Sequence, residues 1–153
     1  MFDALVKPHY ETVMNRYIKT QNEFQSLPAD IQRISIEKQS GDCLHDILDY
    51  CYEHLDEMRI ILTRSDGTKY SSMVDEMAAM EVEATHAYQQ TAEESGYSMK
   101  RIDPHLEHII ATGMINTFFE LVIHDIPYNE AETYLAEMRD FYTAGWMKIM
   151  GQT

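Results

Sequence analysis

Seven histidines among twenty-six acidic residues make metal chemistry the first question this sequence raises. His105-x-x-His108 sets two imidazoles on one helical face, and Glu83-x-x-His86 and Asp42-x-x-His45 are carboxylate–histidine pairs at the i, i+3 spacing that a helix brings together. A di-iron bundle uses two Glu-x-x-His motifs and a further Glu from each of two other helices. Only one Glu-x-x-His occurs here, so the Asp version would have to stand in for the second. Motifs this short arise easily by chance in an acidic, histidine-rich chain, and the plainer expectation is that these side chains lie on polar faces or make single hydrogen bonds. No metal ligand and no cofactor is therefore expected. A carboxylate/His metal-binding helical bundle, working as an oxidase or metal store, stands as the alternative reading.

Other chemistries have less support. There is no Gly-x-Ser-x-Gly elbow, and neither Cys43 nor Cys51 has a local signature of a nucleophile. The six glycines are scattered, with no Gly-rich loop ahead of a helix to cradle phosphate. No catalytic residue is assigned, and the chain is not expected to be an enzyme. Eight residues along one helix put the two cysteines about 12 Å apart, beyond the reach of a disulfide. Two free thiols fit a reducing, cytoplasmic setting.

The elements that must position these side chains are helical almost throughout. Apolar residues recur at three- and four-residue spacings from Phe2 to Ile18, with Pro8 inside the pattern. Leu27-Pro28-Ala29-Asp30 is the first break, and Ser40-Gly41-Asp42 marks a weaker second one. A long pattern then runs from Cys43 to Leu62, stopped at Ser65-Asp66-Gly67-Thr68 with Gly67 as a left-handed cap. The next helix carries Tyr70, Met73, Met77, Glu81, Ala84 and Tyr88 on one side and ends near Ser95-Gly96. Asp103-Pro104 reads as an N-cap followed by proline at the first helical position, opening a helix that keeps Leu106, Ile109, Ile110, Gly113, Met114, Phe118 and Leu121 in register. After Asp125-Ile126-Pro127, Asn129 and Glu132 resemble a capping box for the last helix. No stretch alternates with period two, so the fold class is all-α, with five to six helices.

At 153 residues the chain has the length of one domain, residues 1–153. A net charge of −14 leaves no basic stripe for phosphates, which argues against direct nucleic-acid binding and against an anionic membrane surface. The longest apolar run is Met77 to Met80, too short to cross a bilayer, so no membrane partner is expected. The acidic balance favours a cationic or neutral ligand over an anionic one. Gly113 and Gly145 interrupt bulky helices at a cost of about 1 kcal/mol each relative to alanine, a cost that close approach of another helix backbone would offset. Met73, Met77, Met80 and Met114 fall where they could line an adaptable pocket or simply fill the core.

The order of these helices and their signatures resemble the C-terminal ligand-binding and dimerisation domain of TetR/AcrR-type transcriptional regulators, in the variant common in Firmicutes. Phe2-Asp3-Ala4-Leu5-Val6-Lys7-Pro8 resembles the start of that family's connecting helix. Arg59-Ile60-Ile61-Leu62 followed by Gly67-Thr68-Lys69-Tyr70 resembles its turn into the pocket helices, and Glu81-Val82-Glu83-Ala84-Thr85 the segment beyond. Phe141-Tyr142-Thr143-Ala144-Gly145-Trp146, ending at Met150-Gly151, resembles the close of its last dimerisation helix. The resemblance spans residues 2–151. It implies a helix-turn-helix head before Phe2, and this chain carries no residues there, so DNA would be contacted only through that absent head.

The resemblance further implies a homodimer whose last two helices build a four-helix interface, and a small-molecule effector bound inside each subunit. The helix from Phe2 to about Phe24 would transmit binding to the head. On this reading the ligand is lined by Tyr52, Leu55, Met58, Met77, Met80, Tyr88, Met114 and Phe118. The dimer contacts fall to Gly113, Thr117, Met138, Tyr142, Gly145 and Trp146.

Overall fold

A computed structural model describes residues 2–152. Among them are six α-helices and no strand: α1 (Phe2–Gln25), α2 (Ala29–Glu53), α3 (Leu55–Thr63), α4 (Met73–Glu94), α5 (Pro104–Ile123) and α6 (Tyr128–Ile149), with a single 3-10 turn at Lys69–Ser72 before α4. The all-α expectation is met. Local chemistry sets most boundaries where the residues place them. Pro28 separates α1 from α2, Gly67 takes a left-handed φ of +80°, and the Asp103 side chain accepts from the His105 amide ahead of Pro104. Pro8 sits inside an uninterrupted α1.

Three expectations need correction. Gly41 does not break a helix; α2 runs straight through it, because the Arg139 guanidinium from α6 lies where a Cβ would stand and donates to the Glu37 carbonyl at 2.5 Å. The periodic stretch from Cys43 to Leu62 is not one helix but two, parted at His54, whose φ of −134° leaves the α-region although neither Gly nor Pro is present. At the start of α6 no side chain caps the helix: Pro127 is its N-cap residue, and Glu132 reaches across to His45 instead.

One core joins all six helices. Val6, Val13 and Tyr17 of α1 meet Ile47, Leu48 and Cys51 of α2, Met58 and Ile61 of α3, Met73 and Met77 of α4, and Ile115, Phe118, Phe119 and Val122 of α5. Helix α6 contributes only Ala131 and Leu135 to the buried set. Two side chains hold the end of α5 and the loop after it: the Tyr52 hydroxyl is shared between the carbonyls of Leu121, in the last turn, and Ile126, in the loop, and Arg59 donates to Val122 while pairing with Asp125.

Helix α5 turns a different face inward from the one its stripe suggests. Glu107, Ala111, Ile115, Phe118 and Phe119 are buried, whereas Leu106 and Ile109 are 46% and 65% exposed. The helix is apolar on nearly every side, so sequence periodicity could not choose between faces. By length and composition it is the one helix among the described residues apolar enough to cross a membrane.

The α2–α6 contact includes a titratable pair. The His45 Nε2–Glu132 hydrogen bond, at 2.7 Å, raises the imidazole pKa above its usual 6.5, with Asp49 adding to the effect. A raised folded-state value means the pair stabilises the fold fully below about pH 6.5, and the gain is lost as the pH rises through the folded value. His45→Gln should flatten the pH dependence of the urea midpoint on the neutral side, measured from acidic to alkaline buffers. An unchanged profile would show that the contact adds nothing in solution.

Candidate functional site

A cavity of about 470 Å³ opens between α1, α2, α4, α5 and α6. That volume lies within the range of small-molecule sites. Four residues of α1, Tyr17, Thr20, Gln21 and Phe24, form one wall. Helix α4 brings Glu81, Ala84, Thr85 and Tyr88, and α5 brings Met114 and Ile115. The opposite wall is α6, through Met138, Arg139, Tyr142, Thr143, Trp146 and Met147. Met99 and Met150 also line it, and the exposed Ile34 and Glu37 of α2 mark where it reaches the surface. Helical spacing explains α6: Met138, Tyr142 and Trp146 recur at i, i+4 and so share one face. Five methionines and five aromatic rings line it, surfaces that suit the apolar part of a ligand through adaptable thioethers and flat rings.

One acidic group lining it is Glu81 of α4. Its Oε2 accepts from the Tyr17 hydroxyl and from the Gln21 amide at 3.3 Å, so two donors from α1 hold a carboxylate of α4. Burial pushes the Glu81 pKa up, and the Tyr17 hydrogen bond opposes that rise. Tyr17 itself is driven well above its usual value, first by burial and then by Glu81, and remains a neutral donor. Both hydrogen bonds fall on the same oxygen, leaving Oε1 with accepting capacity. The two lining arginines are engaged elsewhere: Arg33 lies over the Tyr97 ring at 3.4 Å, and Arg139 donates to the Glu37 carbonyl. A carboxylate among aromatic rings suits a ligand that offers an N–H or a positive nitrogen.

Of the eight residues expected to line a ligand, Tyr88 and Met114 face this cavity, with Tyr88 packed on Phe24 at 6.0 Å between ring centroids. Met58, Met77 and Phe118 are fully buried in the core, and Leu55 and Met80 pack against it. Tyr52 is spent on the end of α5. Of the dimer candidates, Met138, Tyr142 and Trp146 line the cavity of their own chain. Thr117 donates to the Gly113 carbonyl and bonds the Tyr142 hydroxyl at 3.1 Å, so this pair braces α5 against α6 within the chain. Gly113 lies beneath that hydroxyl, while Gly145 is exposed with open space where a Cβ would stand.

The residues that sequence reasoning missed are Tyr17, Gln21, Phe24 and Glu81 as a group. The signal for them was helical spacing, on α1 for Tyr17, Gln21 and Phe24 and on the Tyr88 side of α4 for Glu81, and it reads equally well as ordinary core.

The histidine motifs are not brought together. His86 pairs with the buried Glu107 at 2.8 Å, His45 with Asp49 and Glu132, and His105 with Asp103. His108 shares a long hydrogen bond with Thr112, at 3.5 Å. Asp42 pairs with Lys38, which lowers its pKa, and Glu83 is exposed. Both cysteines are buried and unpaired, with thiol pKa values pushed up by burial to about 11 at Cys43 and about 12 at Cys51. Such thiols are poor nucleophiles. Compared with family models, curated proteins and solved structures, the chain matches none of them.

Proposed function

We propose that the chain is the effector-binding and dimerisation domain of a TetR-type transcriptional regulator, with α1 as the element that carries ligand binding to a helix-turn-helix head. One observation carries this reading: the cavity is walled on one side by α1 itself, through Tyr17, Thr20, Gln21 and Phe24. A ligand that touches the connecting helix has differential contacts with two positions of that helix, which is the condition for shifting their populations. The ligand class that fits is an aromatic or lipophilic amine, its rings against Phe24, Tyr88 and Trp146 and its nitrogen toward Glu81.

Trp146, the single tryptophan, lines the cavity and supplies the test. Aminoquinolines should shift its fluorescence saturably. Glu81→Gln should weaken them about tenfold or more, as expected for loss of a charge-assisted hydrogen bond. Neutral naphthalene derivatives should be indifferent to that change. Ala84→Phe, which fills the space, should abolish both signals. A fluorescence signal unaltered by either substitution would place binding elsewhere.

The same reading includes a homodimer through α5 and α6. Its support is the outward apolar face left on those helices, at Leu106, Ile109, Tyr134 and Phe141. A two-fold dimer would bury this face against its own copy.

A further inference from the structure

We propose that His9, His54 and Glu57 form a binding site for a divalent transition-metal ion of the zinc type, at the joint between α1 and the α2–α3 break. The three are distant or unremarkable in the sequence, yet one ligand atom from each lies within 4.8 Å of the others, and all three are half-buried. His9 belongs to the third turn of α1, Glu57 to the first turn of α3, and His54 is the residue at which the helix is interrupted. That interruption has no Gly or Pro to account for it. It leaves the His54 ring 4.7 Å from His9 and 4.5 Å from Tyr50.

The chemistry of the set is specific. Two neutral imidazoles and one carboxylate are the three-ligand set of open zinc sites, with a fourth position left for water or another donor. A ligating histidine uses its second ring nitrogen in a hydrogen bond that fixes its tautomer. His9 has such a partner, since its Nδ1 is 2.7 Å from the Tyr50 hydroxyl. With Nδ1–H donated to that oxygen, Nε2 keeps its lone pair for the ion. Bond lengths of about 2.0–2.1 Å put tetrahedral ligand atoms roughly 3.3 Å apart, so the cluster must close by an ångström or so. Rotation about the side-chain bonds of Glu57 provides that movement. Nitrogen donors set the preference for zinc, nickel and copper over magnesium and calcium, which take oxygen. An ion held here would cross-link α1 to the α2–α3 joint. The site does not depend on the cavity or on the regulator reading.

The test uses the full chain, stripped of metal by chelator dialysis and titrated with Zn²⁺ against a chromophoric chelator. One tight equivalent per chain is expected. His9→Ala and His54→Ala should each weaken it about 100-fold, and Tyr50→Phe about tenfold, as for loss of an orienting partner. His45→Ala and His105→Ala should leave it unchanged. Co²⁺ in place of zinc should give a visible band that His54→Ala removes. Circular dichroism checks that each variant is folded, and Glu57→Gln, which keeps the shape of the side chain, serves if an alanine variant is not. Absence of one-to-one binding, or equal affinity in the wild type and in folded His9 and His54 variants, overturns the site.

Discussion

Phe141→Glu should turn a dimeric chain into a folded monomer, raising the dimer dissociation constant at least about 100-fold in sedimentation equilibrium. Phe141 is 73% exposed, and on the same side of α6 stand the exposed Tyr134 and Gly145. Helix α5 leaves Leu106 and Ile109 exposed as well, one and two turns from its capped start. Burying one phenylalanine side chain is worth about 1.5–3 kcal/mol, and two-fold symmetry counts it twice. The doubled loss alone is about 3–6 kcal/mol, two to four orders of magnitude in affinity. Replacing the ring with a carboxylate adds a desolvation cost on top.

Gly145→Leu separates assembly from folding. Nothing lies within 4 Å of a Cβ built there, so the chain by itself has room for the larger side chain and only a neighbouring copy would meet it. A monomeric Gly145→Leu with unchanged helix content supports the interface. A dimer untouched by both substitutions removes it, and a wild-type chain that stays monomeric at high concentration removes the assembly.

The second large effect concerns Glu107. Its side chain is 1% exposed; one oxygen bonds His86 Nε2 at 2.8 Å and the other, Oε2, has no partner. Removing one member of a buried pair strands the other, at a cost of about 3–5 kcal/mol when water is excluded. His86 is 42% exposed, so water can enter the space it vacates, and His86→Ala should cost about 2–3 kcal/mol in urea unfolding. Glu107→Met should behave oppositely. It removes both the desolvated carboxylate and its orphaned oxygen while keeping the volume, and should be neutral or stabilising. Equal losses in the two variants would mean that the pair itself, rather than the stranding of its carboxylate, contributes the stability. The stripe on α5 gave no warning of this residue, because a glutamate one turn into a helix reads as favourable to the dipole and exposed.

What could be read from the residues is what is governed locally. Helix existence follows from apolar spacing, and helix ends at Pro28, Gly67 and Asp103-Pro104 follow from one residue's φ, missing amide or capping oxygen. None of these depends on a distant partner. Decisions that do depend on one were not legible. Gly41 reads as a breaker until Arg139 fills its missing side chain, and Asn129 and Glu132 read as a cap until His45 claims the carboxylate. His54 gives no sign of interrupting a helix until His9 and Tyr50 are seen against it.

The candidate site divides the same way. Tyr88 and Met114 stand on the cavity wall, and inward-facing positions on middle helices are common to core and cavity alike. Met58, Met77 and Phe118 satisfied the same rule and went to the core. Periodicity says that a face is covered, not by what, and α5, apolar nearly all round, leaves even the choice of face to its neighbours. The sequence by itself determined an acidic, all-α chain with its main stops in place. The tertiary structure decided which faces meet, and so put α1 and Glu81 on a cavity and His9 beside His54, because only packing brings together residues that no local hydrogen bond connects.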